Sequence, residues 1–180
     1  MKKIKLYHGT SKESYDNIIK NGFSSDKKMV WNCSYEEGMH FFDIRKGDGD
    51  NIKDKINDCI YNGFFSAGIS ASVQNSLSNE LYVFELSIDS DFIEDDYSCK
   101  NMSEIASYVD CEYLKLSDIT AIYKAIDFYS PALKLAHLAS VYDSEYLNIE
   151  LSKIEQNAME VLNFSDLDIF EDLEWNTINV

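Results

Sequence analysis

At 180 residues, with 45% hydrophobic and 13% aromatic residues, the chain can bury a substantial core in one domain and is not expected to be disordered. A net charge of −16 disfavours a general nucleic-acid binder, because an acidic surface repels phosphate backbones. The start MKKIK leads into Tyr7-His8-Gly9 rather than an apolar signal segment, and no apolar run has the length of a membrane span. We therefore expect a cytoplasmic protein that does not contact a membrane.

The first half of the chain is predicted to alternate strands and helices. Residues 4–8 predict a strand, and the capping-box pattern Thr10-x-x-Glu13 predicts that a helix follows it. Gly22 predicts the end of that helix. Residues 38–44 then predict a short strand, 52–73 a helix, and 81–88 a strand in which apolar residues alternate.

The second half begins with one or two helical turns predicted over residues 103–108. Residues 111–116 and 119–126 predict two further strands, which form a hairpin or one bent strand. From Ser130-Pro131 onward the spacing of apolar residues predicts helices, and an acidic tail follows. The order predicts an α+β fold with a mostly antiparallel sheet over 1–127, and a helical extension over 128–180 that packs on the same domain.

The cysteines give no sign of a metal site. Cys33, Cys59, Cys99 and Cys111 form no Cys-x-x-Cys pair, and none stands at metal-binding spacing from a histidine. Residues 47–50 (GDGD) lack the spacing of a calcium loop. We predict reduced, mostly buried thiols and no bound metal.

Three polar stretches stand at or near the ends of predicted strands. They are KLYHGT at 5–10, GMHFFD at 38–43 and DCEYL at 110–114. In this order they resemble the poly(ADP-ribose) polymerase and diphtheria-toxin-like (His-Tyr-Glu) branch of the ADP-ribosyltransferases. That branch carries His-Gly-Ser/Thr on its first strand, then Gly-Ile-Tyr-Phe-Ala-Asp, then a late Glu-Tyr. The resemblance covers residues 4–127 and implies a split β-sheet core that binds NAD+ as substrate.

The resemblance assigns the first stretch to binding of the nicotinamide half of NAD+. His8 would bond a hydroxyl of the nicotinamide-side ribose. Gly9 would offer its backbone N–H and C=O to the carboxamide, since a side chain there would block the approach. Thr10 or Ser11 would assist ribose binding or simply cap the following helix.

The other two stretches would supply a ring and a carboxylate. The family's tyrosine stacks on the nicotinamide, and here His40 holds that position, with Phe41 as the alternative one residue on. Glu112 would be the catalytic carboxylate, because cleavage of the nicotinamide–ribose bond leaves an oxocarbenium that a fixed anion stabilises. Asp110 would point the same way on an extended strand and is a candidate for activating the target. Glu85, among apolar residues, is the rival glutamate.

The resemblance implies a mono-ADP-ribosyltransferase that modifies a macromolecule and releases nicotinamide. The acidic net charge favours a protein target over a nucleic acid. By family analogy it is a toxin, an immunity effector or a phage-encoded modifier. The alternatives are an NAD+ glycohydrolase and a catalytically inactive interaction or inhibitor protein. Its acidic surface would suit a basic protein partner, and an antitoxin is another candidate partner.

Overall fold

A computed structural model describes residues 2–24, 38–73, 80–97, 102–125 and 173–178. The strands are β1 (Lys3–Ser11), β2 (Gly38–Asp43), β3 (Leu81–Asp89), β4 (Glu94–Asp95), β5 (Ala106–Asp110), β6 (Ile119–Ala125) and β7 (Trp175–Ile178). The helices are α1 (Lys12–Asn21), α2 (Ile52–Val73) and α3 (Met102–Ile105). Short 3₁₀ turns span Ser90–Phe92, Cys111–Tyr113 and Leu116–Asp118.

The strands form one seven-stranded sheet in the order β4-β5-β2-β1-β3-β6-β7. Every pairing recorded among the described strands is antiparallel. β1 is central, and its ladder with β3 runs from Lys3↔Asp89 to Ser11↔Leu81. The predicted α+β class and the mostly antiparallel sheet are confirmed.

The prediction was wrong around residues 103–116. A strand was expected over 111–116, but 3₁₀ turns occupy Cys111–Tyr113 and Leu116–Asp118. The strand lies earlier, at Ala106–Asp110, where helical turns were expected; only Met102–Ile105 is helical. Its first four residues are all buried, so pairing and packing on both sides decide the conformation there.

The end of β1 and the start of α1 differ slightly from the sequence prediction. β1 continues through Ser11, and Ser11 rather than Thr10 caps α1, with its Oγ accepting from the Ser14 N–H at 3.4 Å. Thr10 stays in the strand because it pairs with Tyr82 of β3. Gly22 ends the helix as predicted, at a φ of 81° that favours glycine.

The helices predicted between residues 128 and 172 lie outside the described residues. Near the C-terminus, Trp175–Ile178 is a strand that pairs with β6 from Ile122↔Ile178 to Ala125↔Trp175. This part of the predicted helical extension therefore extends the sheet.

Each face of the sheet carries its own core. On the α1 face, Ile4 and Leu6 of β1 pack with Phe84 of β3, and Tyr15 of α1 stacks on Tyr82 with ring centroids 4.0 Å apart. The α2 face is formed by Tyr7 and Val83 with residues of α2, among them Ile60 and Phe64. Alternation along β1 thus sends neighbouring side chains into different cores.

α2 approaches β1 closely enough to require glycine on both elements. A Cβ on Gly9 would lie 1.6 Å from the backbone oxygen of Gly63, and one on Gly63 would lie 2.9 Å from Val83 Cγ2. The helix backbone therefore rests against the strand without intervening side chains. The contact lies directly beneath the His8-Gly9 step.

Candidate functional site

β1 and β2 separate at His8. Their pairing covers Leu6↔Asp43 and Tyr7↔Phe42, whereas β1 stays paired with β3 as far as Ser11. We call the place where His8 and Gly9 face His40 and Phe41, beyond these pairs, the β1–β2 split. Two of the three predicted stretches meet here.

The His8 imidazole bridges the split. Its Nδ1 lies 2.9 Å from the backbone oxygen of His40. A carbonyl can only accept, so Nδ1 carries the proton, and in the neutral ring Nε2 is then the acceptor nitrogen. His8 is half-buried, and its ring centroid lies 5.5 Å from that of Phe41. The fold thus selects a tautomer suited to accept a hydrogen bond from a hydroxyl group.

The backbone of Gly9 faces the same place. The carbonyl of Lys5 accepts from the Ile44 N–H, so it points toward β2. Residues two apart on a strand share this direction, so the N–H and C=O of Gly9 also point to the β2 side. The glycine was expected because a ligand needs close backbone approach. The structure gives a second reason on the α2 face of the strand, which is the contact with Gly63.

The side chains of His40 and Phe41 point to opposite faces of the sheet because the two residues are neighbours on β2. Phe41 is 1% exposed and belongs to the core of the α1 face, so little of its ring surface is left for a ligand. The His40 side chain is 23% exposed, and its ring packs edge-on against Tyr108, with centroids 5.8 Å apart. Of the two candidates for a stacking ring, His40 is the more accessible. However, Phe41 contacts His8, so alternation along β2 directs the His40 ring to the face of the sheet opposite His8.

A buried aspartate that sequence reasoning missed holds His40. The Oδ2 of Asp96 lies 2.6 Å from His40 Nδ1, and Asp96 is fully buried. In the sequence, Asp96 ends the acidic run Glu94-Asp95-Asp96, and its two neighbours are exposed. No feature of the run distinguishes the buried member.

Thr10 and Ser11 are both buried, at 2% and 0% exposure. Ser11 caps α1, which is the second of the two roles considered for this pair. Their burial leaves little hydroxyl surface for a ribose. Gly9 is buried as well, so the accessible surface that β1 contributes here is that of the half-buried His8, with the Gly9 backbone beside it.

Asp110 is the last residue of β5, and Glu112 follows it on a 3₁₀ turn. Asp110 pairs with Gly38 at the start of β2, and Glu112 is exposed on the 3₁₀ turn that follows. The expectation that both side chains point the same way along an extended strand was wrong, because Glu112 is not on a strand. A hydrogen bond with Glu112 raises the pKa of Tyr113, whose ring stacks on Phe92 with centroids 4.4 Å apart.

The rival glutamate, Glu85, is buried on the α2 face of the sheet, where it accepts several hydrogen bonds. It accepts hydrogen bonds from Tyr7 at 3.0 Å, Tyr123 at 2.9 Å and Thr120 at 2.7 Å, and Lys5 Nζ lies 2.8 Å away. Burial acts to raise the pKa of Glu85, but these hydrogen bonds hold it below its ordinary value. Glu85 joins β1, β3 and β6, whereas His8 faces the α1 side.

Within the described ranges, no group of three or more His, Cys, Asp or Glu residues is placed to hold a metal ion. No helix in these ranges combines the length and apolar character needed to cross a membrane. Comparisons of the chain with protein-family models, curated proteins and solved structures find no match.

Proposed function

We propose that the chain is an NAD+-dependent mono-ADP-ribosyltransferase that uses the β1–β2 split to hold the nicotinamide ribose. The observation that carries the proposal is the geometry of the His8-Gly9 step. The strands separate there, the fold fixes the His8 tautomer through the His40 carbonyl, and the Gly9 backbone is directed toward the gap. The order of the three sequence stretches further supports the proposal, because it resembles the motif order of the ADP-ribosyltransferases.

Each group has a matching part of NAD+. A ribose hydroxyl donates, and Nε2 of His8 is the acceptor nitrogen of the tautomer that the His40 carbonyl selects. The nicotinamide carboxamide carries both a donor and an acceptor, as does the backbone of Gly9. Paired hydrogen bonds of this kind fix orientation as well as affinity, so the ribose–nicotinamide bond would be held in one pose.

The transfer step breaks the bond between C1′ of the ribose and the nicotinamide nitrogen. The electron pair leaves with nicotinamide, which becomes neutral, and the ribose acquires oxocarbenium character. The acceptor's nucleophilic atom then bonds to C1′ and loses its proton. Glu112 is proposed as the carboxylate that stabilises the cationic ribose, and Asp110 as the group that receives the acceptor's proton.

A second candidate function is binding of NAD+ or a protein without transfer. The position of Glu112 favours it, because this side chain is exposed and already hydrogen-bonded to Tyr113. The net charge of −16 then suits a basic protein partner.

The test is incubation of the purified protein and a cell lysate with NAD+ labelled in its adenylate phosphate, with nicotinamide release measured in parallel. The wild type is expected to label a macromolecule, and Glu112→Gln is expected to lose at least about a hundredfold in rate. Glu13→Gln changes an exposed carboxylate on α1 and should retain full activity.

The products separate the candidates. Labelled protein supports transfer, and free ADP-ribose without labelled target identifies hydrolysis. A rise in melting temperature with NAD+, without nicotinamide release, identifies a binding protein. Equal labelling by wild type and Glu112→Gln would overturn the role given to Glu112.

A further inference from the structure

We infer that Asp96 is a positioning residue for the site, acting through His40 on the tautomer and orientation of His8. The inference rests on the proposed function for its consequence, but the hydrogen-bonded connection itself is independent of any substrate. The connection runs from a carboxylate beside β4, through the ring and carbonyl of a residue on β2, to an imidazole on β1.

The first link is the contact between Asp96 and His40. The Asp96 Oδ2 to His40 Nδ1 distance is 2.6 Å, and Asp96 is 0% exposed. A buried carboxylate is costly unless hydrogen-bonded donors compensate for its lost hydration, so the contact with the imidazole is strongly favoured. Because the carboxylate accepts, Nδ1 of His40 carries a proton.

The placement of Asp96 depends on a very short strand. β4 consists of Glu94 and Asp95, which pair with Tyr108 and Ser107 of β5. The pairing then continues in one backbone bond from the Asp96 N–H to the Ala106 oxygen, at 3.4 Å. The side chains of Glu94 and Asp95 are exposed, so the buried member of the acidic run is the one in contact with His40.

The second link is the contact between His40 and His8. The same residue whose ring is held by Asp96 presents its carbonyl to His8 Nδ1 at 2.9 Å. The position falls just past Tyr7↔Phe42, where the ladder no longer fixes β2 relative to β1. His40 pairs there with Tyr108 of β5 but not with β1, so the ring contact with Asp96 adds a second support for the acceptor that sets the His8 tautomer.

The protonation states of His8 and His40 can be measured directly in the wild-type protein. The chain has three histidines, so proton–nitrogen correlation spectra of the imidazoles of isotope-labelled protein contain three sets of signals, assigned with His8→Gln and His40→Gln. We expect His8 and His40 to be protonated on Nδ1. Protonation of neutral His8 on Nε2 alone would overturn the inference.

The matched variants are Asp96→Ala and Asp95→Ala, adjacent residues of the same charge. Asp96→Ala is expected to change the imidazole signals of both His8 and His40 and to weaken NAD+ binding about tenfold, as loss of one positioning hydrogen bond would. Asp95→Ala should leave the imidazole signals and the NAD+ affinity unchanged. Unaltered His8 signals in folded Asp96→Ala would contradict the inference.

Two further outcomes are covered by the design. If Asp96→Ala does not fold, Asp96→Glu is studied instead, because it restores a carboxylate at this position. The connection is refuted if His40 keeps its Nδ1 proton in this variant while His8 loses its own. If the wild type binds no NAD+, the proposed function fails, and the imidazole spectra alone decide whether Asp96 positions His8.

Discussion

His8 and Glu85 lie on adjacent strands and face opposite sides of the sheet. His8 pairs with Phe84, so Glu85 is one residue further along β3, yet His8 contacts Phe41 in the core of the α1 face. Glu85 is bonded to Tyr7, which belongs to the core of the α2 face. The two side chains therefore cannot hold the same ribose, and Glu85 is assigned a structural role.

Replacing Glu85 should destabilise the protein without altering the proposed site at the β1–β2 split. Glu85→Ala leaves the hydroxyls of Tyr7 and Tyr123 and the Lys5 ammonium without their acceptor, so we expect a loss of about 3 kcal/mol in the free energy of unfolding. Glu85→Gln keeps the shape and one oxygen and should cost less. Urea unfolding followed by circular dichroism measures both.

The control for this experiment is Glu80→Gln. Glu80 also bonds a tyrosine and a lysine, but its side chain is 33% exposed, so its loss should cost at most about 1 kcal/mol. Equal losses for Glu80→Gln and Glu85→Ala would show that the buried network adds nothing to stability.

Gly9→Ala should unfold or severely destabilise the protein, through packing rather than through the ligand. The added methyl group would meet the Gly63 oxygen at 1.6 Å, which demands that α2 move away from β1, and we expect a cost of at least about 3 kcal/mol. Gly22→Ala is the comparison. Its Cβ meets nothing within 4 Å, so only the backbone strain at φ 81° and ψ −178° remains, about 1 to 3 kcal/mol. Thermal unfolding that ranks Gly22→Ala as the more damaging would contradict the described packing.

Stability should fall on the acid side because of two buried carboxylates. Burial acts to raise the pKa of Asp43, but hydrogen bonds from Arg45 and Ser107 hold it below its ordinary value, and the pKa of Glu85 is also lowered. When the pKa of a carboxyl group is lower in the folded state than in the unfolded state, the ionised group stabilises the fold. This stabilisation is complete above the pKa of the unfolded state, about 4, and is lost as the pH falls through the pKa of the folded state.

We therefore expect the urea midpoint to be constant from about pH 7 to pH 5 and to drop below about pH 4. Asp43→Asn should be less stable at neutral pH and should show a shallower acid decline, because one of the titrating groups is gone. A decline of the same depth in the variant would exclude Asp43 as a contributor.

The described cysteines should differ in reactivity. Cys59 is 1% exposed, and burial raises its pKa to about 12, so little thiolate is present and access is poor. Cys111 is only partly buried, although burial raises its pKa as well. Iodoacetamide followed by peptide mapping should modify Cys111 in the native protein and Cys59 only after unfolding. Faster labelling of Cys59 would mean that α2 opens from the sheet in solution.

Among the described elements, local patterns predicted the strands β1, β2, β3 and β6 and the helices α1 and α2. The alternation in β3 and the glycine that ends α1 were sufficient, because each reports a nearby physical constraint. The strand Ala106–Asp110 was missed because its conformation depends on β2 and β4, which are distant in sequence.

The site was predicted less completely than the fold. His8, Gly9 and His40 were selected from the sequence, and the structure brings them together at the β1–β2 split. Asp96 could not be selected, since only the pairing of β4 with β5 separates it from its exposed acidic neighbours. Glu112 was predicted to lie on a strand, although Leu114 is the only buried residue between 111 and 116.

The most direct measurement is an NAD+ titration of isotope-labelled protein followed by proton–nitrogen spectra. We expect the Gly9 amide and the His8 ring signals to shift saturably at NAD+ concentrations up to about 1 mM, whereas Tyr123, on the opposite face of the sheet, should not shift. His8→Gln should reduce the affinity. Absence of any shift at His8 and Gly9, with the protein folded, would contradict the claim that the β1–β2 split binds the dinucleotide.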